Sequence, residues 1–289
     1  MRITVKKLYT LLEFLNEQYP DSPRTRIKKL LKSSSIKIND RPVTLHSWLL
    51  KPGDIVEISS HSGISAKSRL PFPVLYEDQD IIVVDKPAGI ATSSTDGSKN
   101  IQEMLSEVLK SLSKGKNRAY VVHRLDKEVS GVLLFAKTHE IMNNFKENWK
   151  ETEKHYYALV EGIPEKEEDT IKSWLIEDKS QKVHSTFERP EAKYSVTHYK
   201  TIRKMINNAL LDVNTETGRK NQIRVHLSDI GCPIVGDRKY GASEEYKRRI
   251  RLYAYHLSFP HPVTGKMTTI ESPMPKGFLS LKEKDEHYK

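Results

Sequence analysis

The run His123-Arg124-Leu125-Asp126-Lys127-Glu128-Val129-Ser130-Gly131 sets one carboxylate between a basic pair and a Ser-Gly turn. The apolar run Val132-Leu133-Leu134-Phe135-Ala136 follows at once and reads as a buried strand. A carboxylate at a strand edge is costly to desolvate unless it is paired. Such groups gather at active sites, and structural ion pairs give the same pattern. Asp126 therefore reads either as an active-site carboxylate or as the acid of a salt-bridged turn.

Three further segments carry residues of chemical interest. Asp85-Lys86-Pro87-Ala88-Gly89 follows the apolar run Ile81-Ile82-Val83-Val84 and reads as a turn. In Lys154-His155-Tyr156-Tyr157-Ala158-Leu159-Val160-Glu161-Gly162, alternation puts Tyr156, Ala158 and Val160 on one strand face and Tyr157 on the other. A strand tyrosine is ordinarily a core residue. Thr217-Gly218-Arg219-Lys220-Asn221-Gln222-Ile223-Arg224-Val225-His226-Leu227 runs on to Gly236-Asp237-Arg238-Lys239-Tyr240-Gly241. A helix opening at Thr217 or Gly218 and closing at Gly231 would bury Ile223, Leu227 and Ile230, with Arg224 bordering that stripe and facing a cleft. A surface basic helix that binds phosphate is the alternative.

The elements that must hold these residues mix without a strict βαβ alternation. Pro73-Val74-Leu75-Tyr76 and Ile81–Val84 suggest paired strands joined through Glu77–Asp80. Ile101 to Leu112 predicts a helix, a strand runs from near Lys154 to Val160, and Leu210–Val213 is another. The pattern predicts an α+β fold with a mixed, largely antiparallel central sheet flanked by helices, plus a small N-terminal α/β domain. Near the N-terminus, Leu8, Leu11, Leu12 and Leu15 share one helical face. A second short helix after Ser22-Pro23 would turn Ile27, Leu30 and Leu31 inward and Arg24, Lys28 and Lys32 outward. Ile36-Lys37-Ile38-Asn39 alternates like a strand and ends in a turn; Pro52-Gly53-Asp54 marks a turn before the strand Ile55–Ile58. The expected domains are residues 1–60, a serine-rich linker over 61–70, and a large domain over 71–289.

The chain of 289 residues carries a formal charge of +10, which favours a polyanionic partner, most commonly nucleic acid. Residues 1–60 hold eleven cations against six acids, half of that excess in a fifth of the length. The single cysteine, Cys232, cannot close an intramolecular disulfide or form a cysteine-rich zinc site. No signal-peptide core and no apolar run of membrane-spanning length is present, so a cytoplasmic protein is expected. No glycine-rich phosphate loop or metal-ligand cluster stands out.

The four chemical segments, in this order across residues 81–241, resemble the motifs of the RluA/RluD-type pseudouridine synthases. The 1–60 region resembles the α-L RNA-binding domain, through Arg24-Thr25-Arg26-Ile27-Lys28-Lys29-Leu30-Leu31-Lys32, Ile36–Asp40 and Lys51-Pro52-Gly53-Asp54. The first resemblance implies that Asp126 is the catalytic aspartate, that Arg224 contacts it, and that Tyr156 stacks on the target base and is a candidate for proton transfer. Two departures stand out. Val129 replaces the usual threonine, implying a lost hydroxyl hydrogen bond, and Lys220-Asn221 replaces a Thr-His or Ser-His pair.

The implied reaction converts uridine in RNA to its C-glycoside isomer, with no redox change, no cofactor and no metal. Arg124 would fill the vacated stack or grip an adjacent phosphate. Arg219 and the N-terminal Arg24, Arg26, Lys28, Lys29 and Lys32 would bind RNA. His123 and His226 are expected to be structural hydrogen-bonders. Ribosomal RNA is favoured over transfer RNA as partner, with no membrane and no obligatory protein partner. A non-catalytic RNA-binding or ribosome-assembly factor and an aspartate-dependent nucleoside hydrolase are the rival readings.

Overall fold

A computed structural model describes residues 2–20, 36–39, 41–43, 45–58, 69–243 and 249–280. The chain forms two compact units, Met1–Arg69 and Leu70–Lys289. In the first, β1 (Arg2–Thr4), β3 (Ile36–Ile38), β4 (Arg41–Pro42) and β6 (Ile55–Ile58) make an antiparallel sheet in the order β1-β6-β3-β4. β2 (Tyr9–Thr10) pairs with β5 (Leu49–Leu50). The period-2 run at Ile36 and Ile38 buries both isoleucines, and Asn39, at φ 50°, turns the chain while its side chain clamps Asp54 and the Ile55 amide.

The helix α1 (Leu11–Gln18) begins later than the leucine spacing suggests. Thr10 and Glu13 form a reciprocal capping box that fixes its start. Leu8 therefore lies outside the helix and is 65% exposed, and Leu12 also faces outward. Phe14 takes the inward place beside Leu11 and Leu15, packing on Ile36, Leu50 and Val56. The expected second helix, with Arg24, Arg26, Lys28, Lys29 and Lys32, lies outside the described residues.

The larger unit is built on an 11-stranded sheet. Its strands are β7 (Val74–Glu77), β8 (Ile81–Lys86), β9 (Tyr120–Val121), β10 (Ser130–Ala136), β11 (Glu153–Glu161), β12 (Glu168–Glu177), β13 (Val183–Thr186), β14 (Lys193–Lys204), β15 (Asn208–Thr215), β16 (Leu252–Pro260) and β17 (Met267–Glu271). The order is β13-β12-β14-β15-β11-β16-β10-β8-β7, with β17 on β16 and β9 on β10. Among the described residues every pairing in this sheet is antiparallel except β10 with β16. The mixed, largely antiparallel sheet of the α+β reading is present. Helix α2 (Ile101–Ser113) is capped by Asn100, and α3 (His139–Asn148) by Thr138. Ile141 and Phe145 of α3 pack on Val132, Leu134 and Phe259 of the sheet.

Helix α4 (Gln222–Asp229) is shorter than the expected span from Thr217 or Gly218. Thr217 instead donates to Gln222 Oε1 and accepts from the Val196 amide, and the Arg219 amide also donates to Gln222. These bonds hold residues 217–220 against β14 as a non-helical lead-in that ends in a turn. Gln222 through Leu227 are all buried, so α4 is enclosed around its whole circumference, whereas Ile230 is 36% exposed rather than part of a buried stripe.

Candidate active site

Asp126 sits in a loop locked from below. The Gly89 amide donates to the Lys127 carbonyl at 2.8 Å. The Lys86 ammonium, fully buried, donates to the carbonyls of Pro87, Ile90 and Lys127 at 3.1, 2.8 and 3.2 Å. Burial lowers the Lys86 pKa to about 8, against the opposing pull of Asp126 and Glu128. Thr92 exchanges hydrogen bonds with both backbone groups of Leu125. The Asp85–Gly89 segment, read from sequence as a turn, thus clamps the loop that carries the carboxylate.

Arg224 arrives from α4, 98 residues downstream, and its Nη1 donates to Asp126 Oδ2 at 3.2 Å. Asp237 accepts from Nε and Nη2 at 2.6 and 2.8 Å, a two-point grip on one edge of the guanidinium. Glu128 lies 3.7 Å from Nη1, and the Tyr240 ring centroid lies 5.0 Å from Cζ. The Arg224 side chain is 5% exposed and that of Asp237 1%, whereas Asp126 keeps 25%. Burial raises the Asp126 pKa; the Arg224 charge and hydrogen bond pull it back only in part, and Glu128 and Asp237 push upward again. For Arg224, burial alone would lower the pKa, but Asp237 and Asp126 hold it above the ordinary value.

Tyr156 and Asp126 line the same cleft of about 1320 Å³. Burial, then the Asp126 charge, raises the Tyr156 pKa, so its hydroxyl stays protonated at neutral pH. Tyr157 points to the opposite sheet face and stacks on Tyr255 at 3.8 Å between centroids. The cleft also takes in Arg124 and Arg219, together with Lys127, Lys220, Arg238, Lys239 and Arg249. Asp126, Glu128, Glu177 and Asp237 are its acids, so its lining is net basic. The structure brings together Asp126, Tyr156, Arg224, Arg124 and Arg219, all in the larger unit. The N-terminal cations lie outside the described residues.

The two histidines are held inside the fold. His123 Nε2 accepts from the Leu134 amide at 3.0 Å while its ring stacks on Trp149, and burial drops its pKa to about 3. His226 bonds Ser173 and Thr197, each at 2.9 Å, and burial drops its pKa to about 4. Val129 is buried and its amide donates to the Asp126 carbonyl. Asp78, Asp80 and His261 lie close enough to suggest a cation site. Both His261 ring nitrogens are already engaged, however, and Lys137 bonds Glu77 and the Asp78 carbonyl, which makes the group a turn lock.

Sequence reasoning assigned no role to Lys86, Asn221, Asp237 or Tyr240. Asp237 lay within a quoted segment, but its signal is its burial against Arg224, which spacing does not carry.

A sequence profile described as RNA pseudouridylate synthase matches residues 80–229. An uncharacterized RNA pseudouridine synthase of Aquifex aeolicus is 34% identical over 93% of this chain and 91% of its own length. Ribosomal large subunit pseudouridine synthase D of Haemophilus influenzae is 30% identical over 92% of this chain and 88% of its own. Ribosomal large subunit pseudouridine synthase C of Buchnera aphidicola is 32% identical over 93% and 91%. Among solved structures, human RNA Pseudouridylate Synthase Domain Containing 4 shares the fold, with a TM-score of 0.61 and 23% identity over 71% of this chain and 89% of that one.

Proposed function

Because this chain belongs to the RNA pseudouridylate synthase family, we propose that it isomerises uridines of large-subunit ribosomal RNA with Asp126 as the catalytic carboxylate. The enzyme is an isomerase acting on RNA. In the reaction the N1–C1′ bond breaks, the uracil turns within the site, and C5 bonds to C1′. The proton leaves C5 and N1 ends protonated, so atoms balance without an added reagent. Asp126 serves by attacking C1′ of the ribose, by attacking C6 of the base or by stabilising a glycal path, and each route needs it ionised and within reach of the nucleotide. Arg224 supports that state by presenting one Nη1 hydrogen to Oδ2.

The observation that carries this reading is the Asp126–Arg224 contact at a cleft wide enough for a nucleotide, with Asp126 still partly open to it. A target base within folded RNA must be flipped out, at a cost of a few kcal/mol. Tyr156 would recover about 1–3 kcal/mol by stacking. Arg124 would fill the gap left in the helix or hold the neighbouring phosphate, and Arg219, which also lines the cleft, would hold RNA backbone. The ribosomal assignment rests on the two relatives whose names specify the large subunit. The cation-rich first 60 residues would supply salt-dependent affinity. No described helix is long and apolar enough to cross a membrane, and we place the activity in the cytoplasm, where the ribosomal RNA would be.

Tritium release from RNA labelled at uracil C5, read with base retention, tests the reaction. Isomerisation releases the label and keeps the base on the chain; a hydrolase frees the base; a pure binding factor does neither. Asp126→Ala should abolish release while RNA binding persists, and continued release from that variant would remove Asp126 from the chemistry.

A further inference from the structure

The guanidinium of Arg224 offers five N–H donors in a rigid plane and no acceptor. Asp237 holds the edge formed by Nε and Nη2. A grip on one edge leaves the opposite corner, Nη1, free to tilt, and Nη1 is the atom that meets Asp126. A third contact sits at that corner: Asn221 Oδ1 accepts from Nη1 at 3.1 Å.

The orientation of the Asn221 amide follows from chemistry. Its oxygen must face Arg224, which can only donate, so its Nδ2 is turned to Tyr240. The Tyr240 hydroxyl accepts from Nδ2 at 2.8 Å and from the Val183 amide at 3.2 Å, which ties the chain of bonds to β13. Asn221 is 7% exposed and sits at φ 56° and ψ 16°. Asparagine is among the few residues that tolerate this left-handed backbone. There it ends the turn that leads in and caps the start of α4, which places its amide beside Arg224, three residues on. Asn221 is also one of the positions where the chain departs from the motif it otherwise follows.

We propose that Asn221 is a positioning residue for the isomerisation, linking Nη1 of Arg224 to the Tyr240 hydroxyl and so fixing the direction in which the guanidinium meets Asp126. The proposal rests on the reading of Asp126 as the catalytic carboxylate. It gives Tyr240 two parts: a ring that covers the guanidinium and a hydroxyl that anchors the amide.

Asn221→Gly is the direct test, because glycine adopts the same backbone without strain and removes only the amide. With C5-tritiated RNA, kcat should fall about tenfold, the scale expected for a misaimed catalytic group, while KM stays within about twofold. The acid limb of kcat should move to higher pH, because Asp126 is held less firmly in its charged form. Tyr240→Phe keeps the ring and should give a smaller change in the same direction. The double variant should be no worse than Asn221→Gly alone. A merely structural role would lower Tm and leave the acid limb in place; that outcome, or an unchanged kcat in Asn221→Gly, overturns the proposal. If Asn221→Gly does not fold, Tyr240→Phe carries the same pH readout. Asp126→Ala in the same assay separates the two claims, since turnover by that variant would refute the carboxylate reading itself.

Discussion

Arg224 reaches Asp126 through a single Nη1 donor at 3.2 Å, while two shorter bonds bind it to Asp237. Asp126 is therefore held less tightly than Asp237 by the guanidinium, which Glu128 also approaches at 3.7 Å, and burial lifts its pKa above the ordinary aspartate value. The chemistry needs the ionised form. Activity should fall on the acid side with an apparent pKa above the roughly 3.9 of a free aspartate, measured as kcat/KM against pH. Linkage fixes the sign for stability. A carboxyl whose folded pKa is raised destabilises the fold when ionised; that penalty is full above the folded pKa, shrinks as pH falls through it and is gone below the unfolded pKa. Asp126→Asn should thus hold or raise Tm at neutral pH while reducing turnover by about a thousandfold or more. A Tm several degrees lower would show that the charge stabilises the apo fold.

Arg224→Lys keeps the positive charge but not the planar fork. One ammonium cannot bind both oxygens of Asp237 and also meet Asp126. Turnover should drop about 10- to 100-fold with RNA affinity within about twofold. Equal losses in filter-binding affinity and in kcat would instead make Arg224 a phosphate contact. Arg224→Ala is the poorer probe, because Asp237, 1% exposed, would be left buried without a partner at a cost of about 3–5 kcal/mol.

Tyr156 tests stacking apart from proton transfer. Tyr156→Phe should bind RNA within about twofold of the parent, and Tyr156→Ala should weaken binding about 5-fold or more. The pKa of Tyr156 is raised by burial and by Asp126, so no alkaline limb below pH 10 should belong to this hydroxyl. An alkaline limb in that range, lost in Tyr156→Phe, would assign its proton to the reaction.

Much of the candidate site was legible through four short segments whose order resembles one family's motifs. Local pattern alone left Asp126 between an active site and a salt-bridged turn, read Tyr156 as a core residue and left Arg224 open to a surface helix; the motif resemblance singled them out together, and the fold brings all three to one cleft. What local pattern could not carry is partnership across the chain. Asp237 and Asn221 matter through contacts with a guanidinium that only the folded chain delivers. The start of α4 was misplaced because Thr217 and the Arg219 amide bond Gln222 rather than continuing a helix. In β14, Thr197 is buried with its hydroxyl bonded to Gln222 and His226, and Ser195 is buried with its hydroxyl on the Lys193 carbonyl, so polar side chains occupy a core face and mask the alternation. At α1, the Thr10 cap outranked the leucine at position 8.

The N-terminal unit should supply affinity rather than chemistry. Its core of Leu11, Phe14, Leu15, Ile36 and Val56 is its own, and Asp126, Tyr156 and Arg224 all lie in the other unit. Deleting residues 1–69 should weaken binding to structured RNA and reduce the slope of log K against log salt, since each phosphate contact contributes about 0.7–0.9 to that slope. Turnover on saturating short RNA should persist. An unchanged salt slope would mean that the cleft cations carry the electrostatic binding alone.

Gly131 joins the Asp126 loop to the sheet, and its replacement should fail for two separable reasons. Its φ of +121° is a backbone region that side-chain-bearing residues rarely adopt. A Cβ built there would stand 2.1 Å from the Ala254 carbonyl oxygen, a backbone atom that cannot swing aside. The close approach occurs where β10 meets β16 in the sheet's single parallel pairing among the described residues, with Gly131 opposite Ala254. Relief would require the two strands to part, which would shift the start of β10 and with it Asp126, five residues earlier. Gly131→Ala should therefore cost at least about 3 kcal/mol, the upper range of overpacking penalties, seen as a large drop in the urea midpoint. Any folded fraction should also turn over poorly, because the loop moves with the strand. A variant of parental stability would mean that β10 and β16 can separate without strain, and would remove the argument that this crossing sets the position of the carboxylate.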